Sequence, residues 1–327
     1  MLVPFDDDAL AEARATNDRL ATTLAGGAPP AEVDLDEARR LRSTGGGPFP
    51  GPVRLPQAED RTVPGPAGDL TVRLLVPPDP VGACAFVHGG GFTTGAADQQ
   101  DEPLWDLAVR TGLAVASVEH RLAPEDPHPA AVDDCEAALR WCIDWAEGEL
   151  GSDRVAVSAE STGAHLALSA LLRLRGDGLA GAVGALDLLY GIYDLSLTPS
   201  VRAPAERTVL LDRATVEWFV EAYTPGLTAE ERRRPDVSPL YASLAGLPPT
   251  LVSVGLHDPL LDDSTFLAAR LAAAGVAVEL RTYPEAYHGF TTLGTRIGDA
   301  GRAGQAEFLL RALAIPDRAP TATTGAL

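Results

Sequence analysis

Between residues 83 and 283 the chain alternates short, mostly apolar runs with longer segments whose apolar residues recur at helical spacing. The short runs are Ala83–Val87, Leu113–Val118, Arg154–Ser158, Val183–Tyr190, Thr250–Gly255 and Ala277–Tyr283. Runs this brief and this apolar read as strands, several of them buried on both faces. Between them the spacing predicts helices over Pro103–Arg110, Ala130–Glu147, Leu166–Leu174 and Asp262–Ala274. Strand following helix following strand implies a mostly parallel, doubly wound α/β sheet, whose ligand site lies at the carboxyl ends of its strands. Upstream, the alternation in Asp69–Val76 marks antiparallel edge strands within residues 53–76. Two segments break the pattern. Before residue 50, two polar helical stretches, Asp6–Leu24 and Asp34–Leu41, are separated by Gly26–Pro30 and followed by a Gly/Pro-rich linker, Gly45–Pro52. They cannot form a core alone and must lie over something else, as a lid on a pocket or as a frayed extension. From Asp194 to Pro239 only one amphipathic helix stands out, Arg213–Tyr223, carrying Trp218, Phe219 and Tyr223. Its aromatics either line a pocket or pack a cap onto the body.

Composition narrows the classes. A chain of 327 residues with 46% hydrophobic residues can bury a large core. It has no apolar stretch of about 18 residues, and acidic rather than basic residues near its start, so neither a membrane span nor export is expected and a cytoplasmic location is. A formal charge of −20 repels phosphate backbones and anionic lipid, which argues against nucleic-acid and membrane partners. The sequence contains no lysine, which excludes Schiff-base and phosphate-loop lysine chemistry. Cys84, Cys135 and Cys142 match no zinc or redox spacing and read as small buried hydrophobes; no metal site is expected.

Candidate chemistry lies at predicted strand ends. His88-Gly89-Gly90-Gly91-Phe92 follows a buried strand, and consecutive glycines leave backbone N–H groups free to bind an anion. A flexible turn or a phosphate loop would also use glycines, but no lysine follows and no dinucleotide fingerprint is present. A strand followed by His-Gly-Gly-Gly instead fits the oxyanion loop of α/β-hydrolase esterases. In Ala159-Glu160-Ser161-Thr162-Gly163 a serine stands at a strand-to-helix joint between small residues, as a nucleophile on a sharp turn does. Alone, that pentapeptide reads equally as a helix N-cap. Asp258 then follows one late strand and His288 the next, giving the chain order Ser, Asp, His of the α/β-hydrolases.

Taken with Arg121-Leu-Ala-Pro-Glu125, Pro129-Ala-Ala, Asp236-Val-Ser-Pro-Leu240, Asp258-Pro-Leu-Leu-Asp262 and His288-Gly-Phe290, these motifs resemble the hormone-sensitive-lipase family of esterases across about residues 55–312. The resemblance implies an α/β-hydrolase fold, with a mostly parallel eight-stranded sheet flanked by helices under a helical cap, and no cofactor. It divides the chain into an N-terminal cap segment (1–50), a catalytic domain (51–193 and 237–315), a cap insertion (194–236) and a flexible tail (316–327). It implies Ser161 as nucleophile, His288 as base, Asp258 as the acid that orients it, and the N–H groups of Gly90, Gly91 and Thr162 as the oxyanion hole. Asp262 and Asp263 fall inside the next helix, Glu285 stands too near His288, and His257 is a loop neighbour of the acid. His88 is expected to stiffen the glycine loop. The sequence departs from the family pattern at Ala159, Glu160, Thr162, Ala164, His165, His120, Gly191 and Tyr193, and His165 is expected to pack rather than act as base. His120, Glu160, Tyr193, Trp218 and Phe219 become the candidates for substrate contact. The implied activity is hydrolysis of small to medium acyl esters through an acyl-enzyme. The same triad could serve a lactone, an amide, a thioester or a natural-product intermediate, and a non-catalytic binding protein on this fold is the remaining class. A small-molecule ester is the expected partner, with room left for a homodimer.

Overall fold

A computed structural model of the chain describes residues 1–25, 32–45, 51–203 and 209–316. The expected glycine/proline break at 26–30, the centre of the linker at 46–50 and almost all of the tail lie outside the described residues. In chain order come α1 (Asp7–Leu24), α2 (Leu35–Thr44), β1 (Ala58–Gly65), β2 (Gly68–Leu75), β3 (Gly82–Val87), α3 (Asp101–Thr111), β4 (Leu113–Val118), α4 (Ala130–Gly148), β5 (Val155–Glu160), α5 (Thr162–Gly176), β6 (Ala185–Leu189), α6 (Pro199–Arg202), α7 (Arg213–Tyr223), β7 (Thr250–Gly255), α8 (Leu261–Ala273), β8 (Val278–Tyr283) and α9 (Arg296–Ala312). The strands form one eight-stranded sheet in the order β1-β2-β4-β3-β5-β6-β7-β8. β2 is antiparallel to both neighbours, and every pairing from β4 to β8 is parallel.

The continuous apolar runs are explained by helices on both faces. Along β3, Ala83, Ala85 and Val87 enter one core with α4, α5 and α8, while Cys84 and Phe86 enter a second core with α3 and α9. Successive side chains of a strand point to opposite faces, so a strand covered on both sides has no polar position to spare. The three cysteines are free and buried, as expected.

The two segments outside the alternation end up around the carboxyl ends of the strands. Residues 1–3 pair along the outer edge of β8, with Val3 N–H donating to Thr282 O at 3.0 Å and Thr282 N–H to Met1 O at 3.0 Å, which covers part of an edge that would otherwise be open to pairing. α1 then puts Ala13 into a third apolar cluster with Tyr190, Tyr283, Phe290 and Ile297. α2 buries none of its residues, yet Arg39 ties it down: its guanidinium donates to the carbonyls of Thr93 (2.8 Å) and Ala123 (3.1 Å) and forks onto Glu125. α7 sinks Val216, Val220 and Tyr223 into the main core. Among the described residues, no helix is long and apolar enough to cross a membrane.

Candidate active site

Ser161 sits between β5 and α5 with φ 53° and ψ −125°. A non-glycine residue held there costs about 1–3 kcal/mol, which the surrounding structure must supply. It does so by close packing. A Cβ on Gly163 would lie 2.2 Å from Val87 O, and one on Gly89 would lie 2.8 Å from Ser161 Cβ, so neither position accepts a side chain. Ala159 is different: it pairs with Val87 inside the sheet and its methyl is fully buried in the main core. The fold thus accommodates alanine at the first small position of the turn.

The three residues expected to act together converge. Ser161 Oγ lies 2.9 Å from His288 Nε2, and His288 Nδ1 lies 3.0 Å from Asp258 Oδ2. Asp258 follows β7, and its other oxygen accepts from Leu260 N–H at 2.8 Å, which fixes the carboxylate. A carboxylate facing Nδ1 keeps the proton there and leaves Nε2 free to accept from the serine. Burial of His288 opposes its charged form, but the charge and hydrogen bond of Asp258, and the more distant charge of Glu160, outweigh burial and hold its pKa above the ordinary imidazole value.

The glycine loop lies alongside. Gly90 and Gly91 have φ of 131° and 66°, and among the described residues no hydrogen-bond acceptor takes their N–H groups. Thr162 N–H belongs to the first turn of α5, where helical N–H groups have no partner within the helix. Phe92 N–H donates to Thr162 Oγ1 at 3.2 Å, locking loop and serine turn together. His88 Nδ1 meets Gly89 O at 2.9 Å, and its ring stacks on His120 at 4.2 Å. Burial, then the neighbouring His120, keeps His88 well below its usual pKa and therefore neutral.

The five residues expected to contact substrate divide. The ring of Phe219 covers Gly91 so closely that a Cβ there would come within 2.3 Å of a ring carbon, and Trp218 stands beside it at 5.3 Å. Glu160 lies just behind Ser161, accepting from Tyr190 Oη at 2.9 Å and from the Gln100 amide. His120 and Tyr193 do not reach an open surface. His120 is spent as the stacking partner of His88 beneath the loop. Tyr193 is fully buried, its hydroxyl occupying the space a side chain at Gly191 would need. His165 packs in the core against Phe92 and Tyr223, with burial pushing it down to about 3. Two neighbours went unnoticed in the sequence. Tyr190 meets the His288 ring edge-on at 5.1 Å and bonds Thr291 at 2.7 Å as well as Glu160. Asn17 of α1 donates to Glu285 O at 2.8 Å, bracing the turn that carries His288.

Comparison with known proteins bears on the fold and the reaction class. The profile of a family described as alpha/beta hydrolase fold matches residues 84–292. Carboxylesterase NlhH of Mycobacterium tuberculosis is 37% identical over 266 residues, covering 77% of this chain and 82% of that protein. Ethyl acetate hydrolase of Pseudomonas putida is 36% identical over 240 residues, covering 71% and 74%. Among solved structures, an esterase of Pyrobaculum calidifontis superposes with a TM-score of 0.80 at 27% identity, covering 92% of this chain and 99% of its own. A hormone-sensitive lipase from a metagenome library does so with a TM-score of 0.80 at 29% identity, covering 92% and 98%. The chain belongs to the hormone-sensitive-lipase family of α/β-hydrolases.

Proposed function

We propose that this protein hydrolyses carboxylic esters of small to medium acyl groups through an acyl-enzyme on Ser161. The observation that carries the reading is the contiguous chain from Ser161 Oγ to His288 (2.9 Å) to Asp258 (3.0 Å), beside two glycine N–H groups without acceptors among the described residues. His288 Nε2 takes the Ser161 proton as Oγ attacks the ester carbonyl, and Asp258 stabilises the imidazolium. The carbonyl oxygen gains charge and is held by the N–H groups of Gly90, Gly91 and Thr162, where a single donor is worth on the order of 10²–10³ in rate. Collapse expels the alkoxide, which leaves as alcohol with the proton from His288. Water, deprotonated by the same imidazole, attacks the acyl-enzyme; collapse releases the acid and returns the proton to Ser161.

Residues 1–50 and 194–236 form the cap of this site in our reading. The anchoring of α2 to Thr93 and of Phe219 onto Gly91 supports that role. Phe219, with Trp218 behind it, bounds the acyl chain, Glu160 tunes the base, and the net charge of −20 favours neutral small substrates over polyanions. A panel of p-nitrophenyl esters of increasing acyl length, run beside a lactone, an anilide and a thioester, tests the assignment. Preferred turnover of the short oxoesters is expected. A tenfold or greater preference for the lactone, anilide or thioester would move the same triad to that chemistry.

A further inference from the structure

A second cleft lies away from Ser161, between the start of the cap insertion, residues 233–241 and the outer face of α8. Its volume is about 870 Å³, within the range of small-molecule sites, and none of the triad, the glycine loop or Phe219 lines it. Part of its lining is apolar, with Leu197, Pro199, Leu240 and Phe266, which is left 41% exposed. The other feature is charge. Arg202, Arg233 and Arg270 converge on the cleft, each spending part of its guanidinium on a neutral acceptor: Arg202 on Ser196 O (2.5 Å), Arg233 on Ser196 Oγ (3.0 Å) and Arg270 on Ala242 O (3.0 Å). A guanidinium has five N–H donors, so among the described residues Arg233 and Arg270 keep donors beyond these contacts. Among the described lining residues the one carboxylate, Asp194, is engaged by Ser196 N–H, Ser196 Oγ and Tyr241 Oη, and Glu230 approaches Arg233 only to 3.8 Å at the rim. A local excess of positive charge in a protein of net charge −20 is selective for anions, and planar guanidinium forks suit a carboxylate.

The geometry points to a binding site for an amphipathic monocarboxylate, its head on Arg233 and Arg270 and its tail along Leu240 and Phe266. The cleft also adjoins the catalytic acid. Ser200 Oγ donates to Pro259 O at 2.7 Å, Ser200 N–H to Asp262 Oδ2 at 2.8 Å, and Thr198 Oγ1 to Asp263 Oδ2 at 2.7 Å. The segment forming one side of the cleft thus grips Pro259, next to Asp258, and the first turn of α8. A carboxylate held there acts on the His288–Asp258 pair without occupying the ester site. Resting on the esterase reading, it belongs to the class of acid that hydrolysis releases, so the cleft senses product.

Sodium octanoate is the probe, with sodium chloride and octanol as controls. Calorimetric titration should show octanoate binding the wild-type chain, at least tenfold weaker binding of octanol, and at least tenfold loss of octanoate affinity in Arg233→Gln/Arg270→Gln protein. The melting temperature of the double variant checks its fold, and the single variants, each expected to lose part of the affinity, serve if it melts early. In kinetics with an aryl acetate, octanoate should change kcat in wild-type protein and much less in the variants. Octanoate binding that is untouched by the substitutions, equal binding of octanol, or purely competitive inhibition of every variant alike would overturn the proposal. Ester hydrolysis is scored separately: a chain that binds octanoate through these arginines but cleaves no ester keeps the cleft and loses the assignment of Ser161.

Discussion

Replacing Glu160 by glutamine should make the enzyme more active in acid. His288 must be neutral to accept the Ser161 proton, so kcat/KM is lost as pH falls through its pKa, which the structure holds above the ordinary imidazole value. Part of that elevation comes from Glu160, whose carboxylate is separated from the imidazole by the Tyr190 side chain, bonded to one at 2.9 Å and edge-on to the other at 5.1 Å. Removing that charge stabilises the neutral base, so the acid limb of kcat/KM should move to lower pH, and below the wild-type midpoint Glu160→Gln should retain a larger share of its plateau rate than wild type does of its own. The assay is a pH series of kcat/KM with an activated acetate ester at constant ionic strength. Tyr190→Phe, which removes the bridging hydroxyl but leaves the charge, should shift the midpoint far less. A Glu160→Gln midpoint that coincides with wild type, or moves upward, would refute the electrostatic argument.

Other outcomes follow from particular contacts. Phe219→Ala should extend the accepted acyl chain by a few carbons; at about 0.8 kcal/mol per buried methylene, kcat/KM for a longer ester rises relative to acetate on the order of tenfold, read from the ester series. Gly91→Ala places a methyl within 2.3 Å of Phe219 in a residue with φ 66°, so kcat/KM should fall tenfold or more. Adding Phe219→Ala should recover part of that loss, which a double-mutant cycle on kcat/KM measures. Arg73 forks onto the fully buried Asp101 at 2.6 and 2.7 Å, and Arg73→Ala, stranding that carboxylate, should cost about 3–5 kcal/mol in urea unfolding. Asn17→Ala removes the bond to Glu285 O and should lower stability by about 1 kcal/mol, seen as a lower melting temperature.

The sheet and the three residues proposed as a triad were readable because each has a local signature. Ala83–Val87 is apolar without interruption and Thr250–Gly255 nearly so, since helices cover both faces, and the glycine loop, Ser161, Asp258 and His288 each follow a strand. Contacts that depend on the cap or on several distant elements were not readable. Tyr190 looks like one more buried strand residue; its position beside His288 exists only because Glu160, Thr291 and His288 arrive from three different elements. His120 and Tyr193 were placed near substrate because they depart from the family pattern. Packing absorbed both departures, His120 as the stacking partner of His88 and Tyr193 as the filler above Gly191. On α7 the helical period marks Val216, Val220 and Tyr223 as the face that packs, but it cannot say that Phe219, on the flank, meets the backbone of Gly91.

The central claim is that Ser161, activated by His288, is the nucleophile. The direct measurement is labelling with a fluorophosphonate followed by peptide mass spectrometry, run on wild type, Ser161→Ala and His288→Ala in parallel with ester hydrolysis. The account predicts one phosphonylated residue, Ser161, with no label and no hydrolysis in Ser161→Ala and labelling slowed at least a hundredfold in His288→Ala. A label on another residue, or ester turnover that survives Ser161→Ala, would contradict it.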